Sequence, residues 1–138
     1  MPSVLAIVSK AVFEEDHAGA KPGDVLPIDR YVSSMPVFKQ VGKDDAVFLV
    51  TVRPGNALWL LAIIEAPKKK GKAWVGKKNT RPVAEIANAV DKLRFESGKG
   101  IGTAKGALGM ALQTPRRLTA DDVALLRSFG SGAEGTKP

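Results

Sequence analysis

Two apolar runs in the first half of the chain constrain its fold more than any other feature. Residues 47–52 and 58–64 are almost wholly apolar, with many β-branched or aromatic side chains, and the sequence Arg-Pro-Gly-Asn at 53–56 separates them. Proline presets φ and glycine accepts a positive φ, so these four residues predict a turn that joins two strands. Because neither run alternates with polar residues, we expect both faces of this hairpin to be covered.

Further strands are predicted on either side of the hairpin. Residues 4–10 are typical of a strand, and Lys-Pro-Gly-Asp at 21–24 predicts a turn that leads into a short strand at 25–28. Residues 73–75 predict one more short strand after the hairpin.

Two helices are predicted in the second half of the chain. Residues 83–93 place their apolar side chains on one helical face. Residues 119–129 have Thr119 as N-cap and an acidic residue three positions later, and Gly130 follows as a stop. The chain therefore predicts an α+β fold, in which a small, mostly antiparallel β-barrel or strongly curved sheet is flanked by two or three helices.

Length and composition predict one soluble domain. The 138 residues are enough for a single core, which we place in residues 1–130, and residues 131–138 form a glycine-rich tail that we expect to be flexible. The sequence has no cysteine, which excludes disulfides and thiolate chemistry. The apolar run at residues 4–8 is too short for a signal peptide or a membrane span, so a cytoplasmic location is expected.

Positive charge is concentrated in the middle of the chain. Residues 67–117 contain 13 basic and 3 acidic side chains, and residues 66–82 have no acid at all. Lysines neutralise phosphates without sequence preference, and an aromatic ring adds base stacking. The candidate nucleic-acid-binding residues are Lys68, Lys69, Lys70, Lys72, Trp74, Lys77, Lys78, Arg81 and Lys99. The alternative is that Trp74 anchors a strand to the core while the lysines are only solvated.

Other chemistry is weakly supported. His17 is the single histidine, and the acidic cluster at 14–16 lacks the spacing of a calcium loop, so no metal, no cofactor and no catalytic residue is expected. The glycine-rich stretch at 97–102 matches neither a Walker loop nor a dinucleotide fingerprint. Lys99 and Lys105 either anchor phosphates from this loop or are ordinary surface lysines.

Tyr31, the only tyrosine, follows the predicted strand at 25–28. Either it lines the wall of a pocket and offers its hydroxyl to a ligand, or it caps an edge of the core while Asp29 and Arg30 pair locally.

The early strand, the turn at 21–24, the long apolar hairpin and the basic segment after it together resemble the PUA-like superfamily, particularly its EVE-type branch. The resemblance covers roughly residues 3–95, although Leu5 and Ala6 stand where the family has a tryptophan. It implies a small β-barrel with external helices that binds RNA or reads a modified base in an aromatic-lined pocket. Tyr31, Ser33 and Trp59 are the candidate pocket residues.

These observations predict a module that binds nucleic acid, RNA or DNA, without catalysis and without a membrane. One alternative is an interaction or regulatory module whose basic face meets an acidic protein. Another is a small enzyme that uses Asp24 or Asp29 as a base.

Overall fold

The computed structural model describes residues 3–8, 10–16, 19–32, 45–53, 57–80, 82–86, 92–95 and 116–130. Within these ranges the chain forms seven strands and two helices. In chain order they are β1 (Val4–Ile7), α1 (Lys10–Asp16), β2 (Arg30–Val32), β3 (Ala46–Arg53), β4 (Ala57–Lys70), β5 (Ala73–Lys77), β6 (Ala84–Glu85), β7 (Arg116–Arg117) and α2 (Ala120–Gly130).

The seven described strands form one mixed sheet. Their order is β2-β5-β4-β3-β1-β7, and β6 pairs with β4 beside this path. The β1–β3 pair is parallel and the other pairs are antiparallel. The strand order of the described residues does not close on itself, so the fold is a mixed α/β sheet with edges at β2 and β7.

The predicted central hairpin is confirmed as β3 and β4. Its antiparallel register runs from Ala46 opposite Glu65 to Arg53 opposite Ala57. A bulge shifts this register between Leu49 and Val50. Alternate residues of β3 enter two separate apolar clusters, one on each face of the sheet. The expectation that both faces are covered is therefore confirmed.

The two clusters give the molecule its layers. The first lies under α2 and includes Phe48, Leu60 and Leu126. The second lies on the opposite face, under α1, and includes Phe13 and Trp74. We name these faces the α2 face and the α1 face of the sheet.

The sheet curls toward the α1 face. The Tyr31 hydroxyl, on β2, donates a hydrogen bond of 2.9 Å to the carbonyl oxygen of Ile7 at the end of β1. These strands stand four places apart in the sheet, which in a flat sheet would separate them by about 19 Å at the usual spacing of adjacent strands. The bond therefore requires strong curvature between the two strands.

The local signals at 21–24 and at α2 are confirmed. The Asp24 amide donates to the Lys21 carbonyl at 3.0 Å, and Gly23 has a φ of 101°, as a type II turn requires. At the start of α2, the Asp122 amide donates to the Thr119 hydroxyl, while the Asp122 carboxylate accepts from the Thr119 amide. This is a reciprocal capping box.

Three predicted elements differ from the structure. The first strand ends at Ile7, because α1 begins at Lys10. Residues 25–28 are not a strand, although their backbone lies beside the chain that follows β5. The helix predicted over 83–93 is wrong for residues 83–86, where β6 pairs with β4 and the Ile86 amide donates to the Leu58 carbonyl. Apolar residues spaced three and four apart are also compatible with a segment that contacts the sheet only at isolated points. The pattern therefore did not distinguish a helix from a short strand such as β6.

Candidate functional site

The basic segment forms the end of a long hairpin. Strand β4 continues past the central hairpin to Lys70, turns at Gly71 and Lys72, and returns as β5. Gly71 has a φ of 62° at the first position of this two-residue turn, where a type II′ turn needs glycine. We name residues 65–78 the basic hairpin.

A bulge bends the basic hairpin where it leaves the core. Glu65 pairs with Lys77 and Lys68 pairs with Val75, so two residues of β4 lie opposite the single residue Gly76. A Cβ atom at Gly76 would lie 2.3 Å from the Glu65 carbonyl oxygen and 2.7 Å from the Ile64 side chain. Only glycine fits this crossing, and the bulge bends β4 where it leaves the central hairpin.

Six predicted binding residues are brought together on this hairpin. All six are exposed: Lys68, Lys69, Lys70, Lys72, Lys77 and Lys78. Residues directly opposite each other on adjacent strands share a face. The pairing therefore assigns Lys68, Lys70 and Lys77 to the α2 face of the sheet, and Lys69 to the α1 face.

Trp74 lies in the core. It is 7% exposed, it belongs to the apolar cluster on the α1 face, and Tyr31 lies opposite it on β2. An indole ring covered to this extent presents no open face for a base to stack on. Its position is the one that the anchoring alternative predicts.

The one acidic residue of the basic hairpin is neutralised from α2. Both terminal guanidinium nitrogens of Arg127 donate to the Glu65 carboxylate, at 2.6 and 2.9 Å, and these hydrogen bonds to Glu65 raise the pKa of Arg127. The guanidinium carbon also lies 5.5 Å from the centre of the Phe48 ring. A bidentate pair held by packing is better defined than an ordinary surface ion pair, so Glu65 does little to offset the lysines.

Asn79 fixes the base of the basic hairpin. Its side-chain oxygen accepts from the Ile63 amide at 3.1 Å, and its side-chain nitrogen donates to the Leu26 carbonyl at 2.9 Å. Its own amide donates to the Ile28 carbonyl at 2.9 Å. This buried residue thus connects β4 to the segment before β2, and the sequence offered no signal for it.

The predicted pocket residues are packed rather than open. The Tyr31 hydroxyl is engaged by the Ile7 carbonyl, and burial raises the pKa of Tyr31 above 10.0. Trp59 is partly buried and meets the Phe13 ring edge-on, with 6.1 Å between ring centres. Both aromatic side chains pack against the cluster on the α1 face. Ser33 lies outside the described residues.

The two candidate bases are engaged locally. The Asp24 carboxylate accepts from the Lys21 amide at 3.1 Å within the type II turn. The Arg30 guanidinium, through its hydrogen bonds to Asp29, lowers the pKa of that carboxyl. A lowered pKa weakens a general base, so this pair does not favour the enzymatic alternative.

Several predicted residues lie outside the described ranges, namely Arg81, Lys99, Lys105, His17, the glycine-rich stretch at 97–102 and the tail at 131–138. In the part of the chain that the structure describes, no three side chains of metal-binding type are grouped to hold an ion. Neither helix of the described ranges is long and apolar enough to cross a bilayer.

Besides Asn79, two features of the site had no sequence signal. The pairing of β2 with β5 brings Arg30 and Val32 next to the lysines, and α2 brings Arg127 to Glu65. Both depend on contacts between residues more than 40 positions apart. No protein-family model, curated protein or solved structure matches the chain.

Proposed function

We propose that the protein binds nucleic acid through the phosphate backbone, with the basic hairpin as its principal contact surface and without catalysis. The observation that carries the proposal is the exposure of six lysines on one hairpin whose single acid is already paired with Arg127. Lysine ammonium groups neutralise phosphates and release counterions, which gives affinity without sequence preference.

Charge spacing on the hairpin supports this proposal. Alternate residues of a strand on one face lie about 6.7 Å apart, and adjacent strands lie about 4.8 Å apart. Lys68 and Lys70 on β4, with Lys77 on β5, therefore form a two-dimensional array of cations. Flexible side chains allow such an array to follow a phosphate backbone. Because Trp74 is buried, the proposal rests on charge and not on stacking by its ring.

A salt titration tests the proposal. We expect a variant with Lys68, Lys69 and Lys70 changed to alanine to bind mixed-sequence oligonucleotides less tightly. The slope of log affinity against log salt should fall by roughly 0.7 for each phosphate of a single strand that the variant no longer neutralises. A charge-matched control changes Lys21, Lys92 and Arg94 to alanine, since all three are exposed outside the hairpin. If both variants lose the same affinity, net charge is responsible and the hairpin is not the site.

The same assay addresses the acidic-protein alternative. Polyglutamate of equal total charge is added as competitor to the complex with an oligonucleotide. The proposal expects the oligonucleotide to be retained. Complete displacement by polyglutamate, or no measurable binding of any oligonucleotide at low salt, would contradict it.

We also infer that the curled sheet belongs to a PUA-like barrel in a cytoplasmic protein. The hydrogen bond from Tyr31 to Ile7 supports the curvature, and the lack of cysteine suits a reducing compartment. The modified-base pocket of that family stays a prediction.

A further inference from the structure

The basic hairpin has two unlike faces. On the α2 face, the pairing of β2, β5 and β4 aligns Arg30, Val75 and Lys68 in one row and Val32, Ala73 and Lys70 in the next. On the α1 face, the corresponding row is Tyr31, Trp74 and Lys69. In the α1-face row, the rings of Tyr31 and Trp74 pack in the apolar core. The residues in the two rows of the α2 face are exposed or partly exposed to solvent. We name these six residues of the α2 face the outer face.

Apolar and charged side chains lie side by side on the outer face. Val32 is 66% exposed, more than Val12 at 48% or Val25 at 50%, and it is the one of these three valines that lies among cations. Val75 and Ala73 are partly exposed beside it. The row with Val75 in its middle has Lys68 on one side and, about 10 Å away across two strand spacings, Arg30 on the other, where it is paired with Asp29.

We propose that the outer face binds single-stranded nucleic acid, with phosphates on Lys68 and Lys70 and with unstacked bases against Val32 and Val75. This inference rests on the proposed function and specifies its ligand. A single strand presents both a charged backbone and the apolar faces of its bases, and the outer face offers both cations and apolar side chains. A duplex keeps its base faces stacked and offers only phosphates and groove edges.

The width of the sheet also disfavours a duplex. The major groove of B-DNA admits a ribbon of two strands. Strand β2 pairs with β5 along residues 73–75, so the β4–β5 hairpin is part of a three-stranded surface as far as Ala73, which borders the turn. A surface of this width lies against a strand more readily than it enters a groove.

The decisive experiment compares three probes of equal length by fluorescence anisotropy. They are a mixed-sequence single strand, an abasic single strand with the same phosphates, and a duplex. We expect the protein to prefer the base-bearing single strand to both others. Val32→Thr keeps a β-branched side chain but removes apolar surface, and should weaken binding of the base-bearing strand about three- to tenfold while leaving the abasic strand unchanged. The control Val12→Thr should change neither.

Three further variants test the role of Val32 and the assignment of faces. Val32→Ile enlarges the apolar surface and should bind the base-bearing strand as tightly or more tightly, which excludes a general effect of substitution at this position. Lys68→Ala and Lys69→Ala remove the same charge from adjacent residues on opposite faces. At about 0.15 M salt, where long-range attraction is screened, Lys68→Ala should weaken binding several-fold more than Lys69→Ala.

The outcomes separate this inference from the proposed function. Equal affinity for base-bearing and abasic strands, or equal losses in Lys68→Ala and Lys69→Ala, would overturn the outer-face assignment while nucleic-acid binding stands. Tighter binding of the duplex would overturn it as well. Failure to bind any of the three probes would instead reject the proposed function and this inference with it.

Discussion

Replacing Asn79 tests whether one buried amide holds the basic hairpin to the rest of the fold. Asn79 is 3% exposed, and its side chain satisfies the Ile63 amide and the Leu26 carbonyl. The amide of Ile63 lies in β4 just before the bulge, and β5 does not pair with β4 there. Without Asn79, the Ile63 amide is left in the interior without its partner, and the Leu26 carbonyl loses one of two hydrogen bonds, keeping that from the Ile28 amide at 2.7 Å.

The expected loss of stability follows from these two groups. A buried donor that loses its partner costs about 1 to 3 kcal/mol and an ordinary hydrogen bond contributes about 0.5 to 1.5 kcal/mol, so Asn79→Ala should lower the free energy of unfolding by roughly 2 to 4 kcal/mol. That is a large share of the about 5 to 15 kcal/mol typical of a domain. The neighbouring variant Thr80→Ala is the control, because Thr80 is exposed and should change stability by no more than about 0.5 kcal/mol.

Asn79→Asp adds a pH signature. One carboxylate oxygen still accepts from the Ile63 amide, but the other faces the Leu26 carbonyl oxygen, so the folded state favours the protonated acid. The pKa of the new carboxyl is therefore raised above its unfolded value of about 3.9. The variant should approach wild-type stability below that pH and lose it as pH rises, at up to about 1.4 kcal/mol per pH unit, until the folded pKa is passed.

Urea denaturation between about pH 4 and 8, followed by tryptophan fluorescence, measures these effects. A loss of stability in Asn79→Ala no larger than that in Thr80→Ala would refute the role of the buried amide. A deficit of Asn79→Asp relative to wild type that does not change with pH would refute it equally, since only a carboxyl that stays solvated in the folded state would behave in that way.

Three other predictions concern the same region. Gly76→Ala should lower the free energy of unfolding by about 1 to 3 kcal/mol, because the new Cβ meets the Glu65 carbonyl. Gly71→Ala has open space around its Cβ and should cost only about 1 kcal/mol, from the positive φ at that position. The midpoints of urea denaturation compare the two variants. Trp74→Ala should cost about 3 to 5 kcal/mol of stability, and an unchanged melting temperature would contradict its burial. Tyr31, the only tyrosine, should ionise above its usual pKa in a spectrophotometric titration of the folded protein and near about 10 in urea, so stability falls as pH rises past that value.

Local signals in the sequence determined three features that the structure confirms. The hairpin of β3 and β4 follows from two apolar runs around a turn, the turn at 21–24 follows from Pro-Gly, and the start of α2 follows from Thr119 and Asp122. In each case the interacting groups lie within a few residues of one another or in adjacent runs, so local preference and tertiary structure agree. The concentration of lysines was likewise evident from the sequence.

Tertiary contacts alone decided the rest of the candidate site. Residues 83–86 have the apolar spacing of a helix, yet β4 offers them backbone partners and they pair as β6. Whether Trp74 is buried or exposed depends on the bulge opposite Gly76 and on the register of β5, and no short stretch of sequence specifies either. Arg127 reaches Glu65 from 62 positions away, and Asn79 reaches Leu26 from 53. Such pairings are chosen by the packing of the whole sheet, because strand register sets which face each side chain occupies and long-range contacts satisfy the polar groups left between elements.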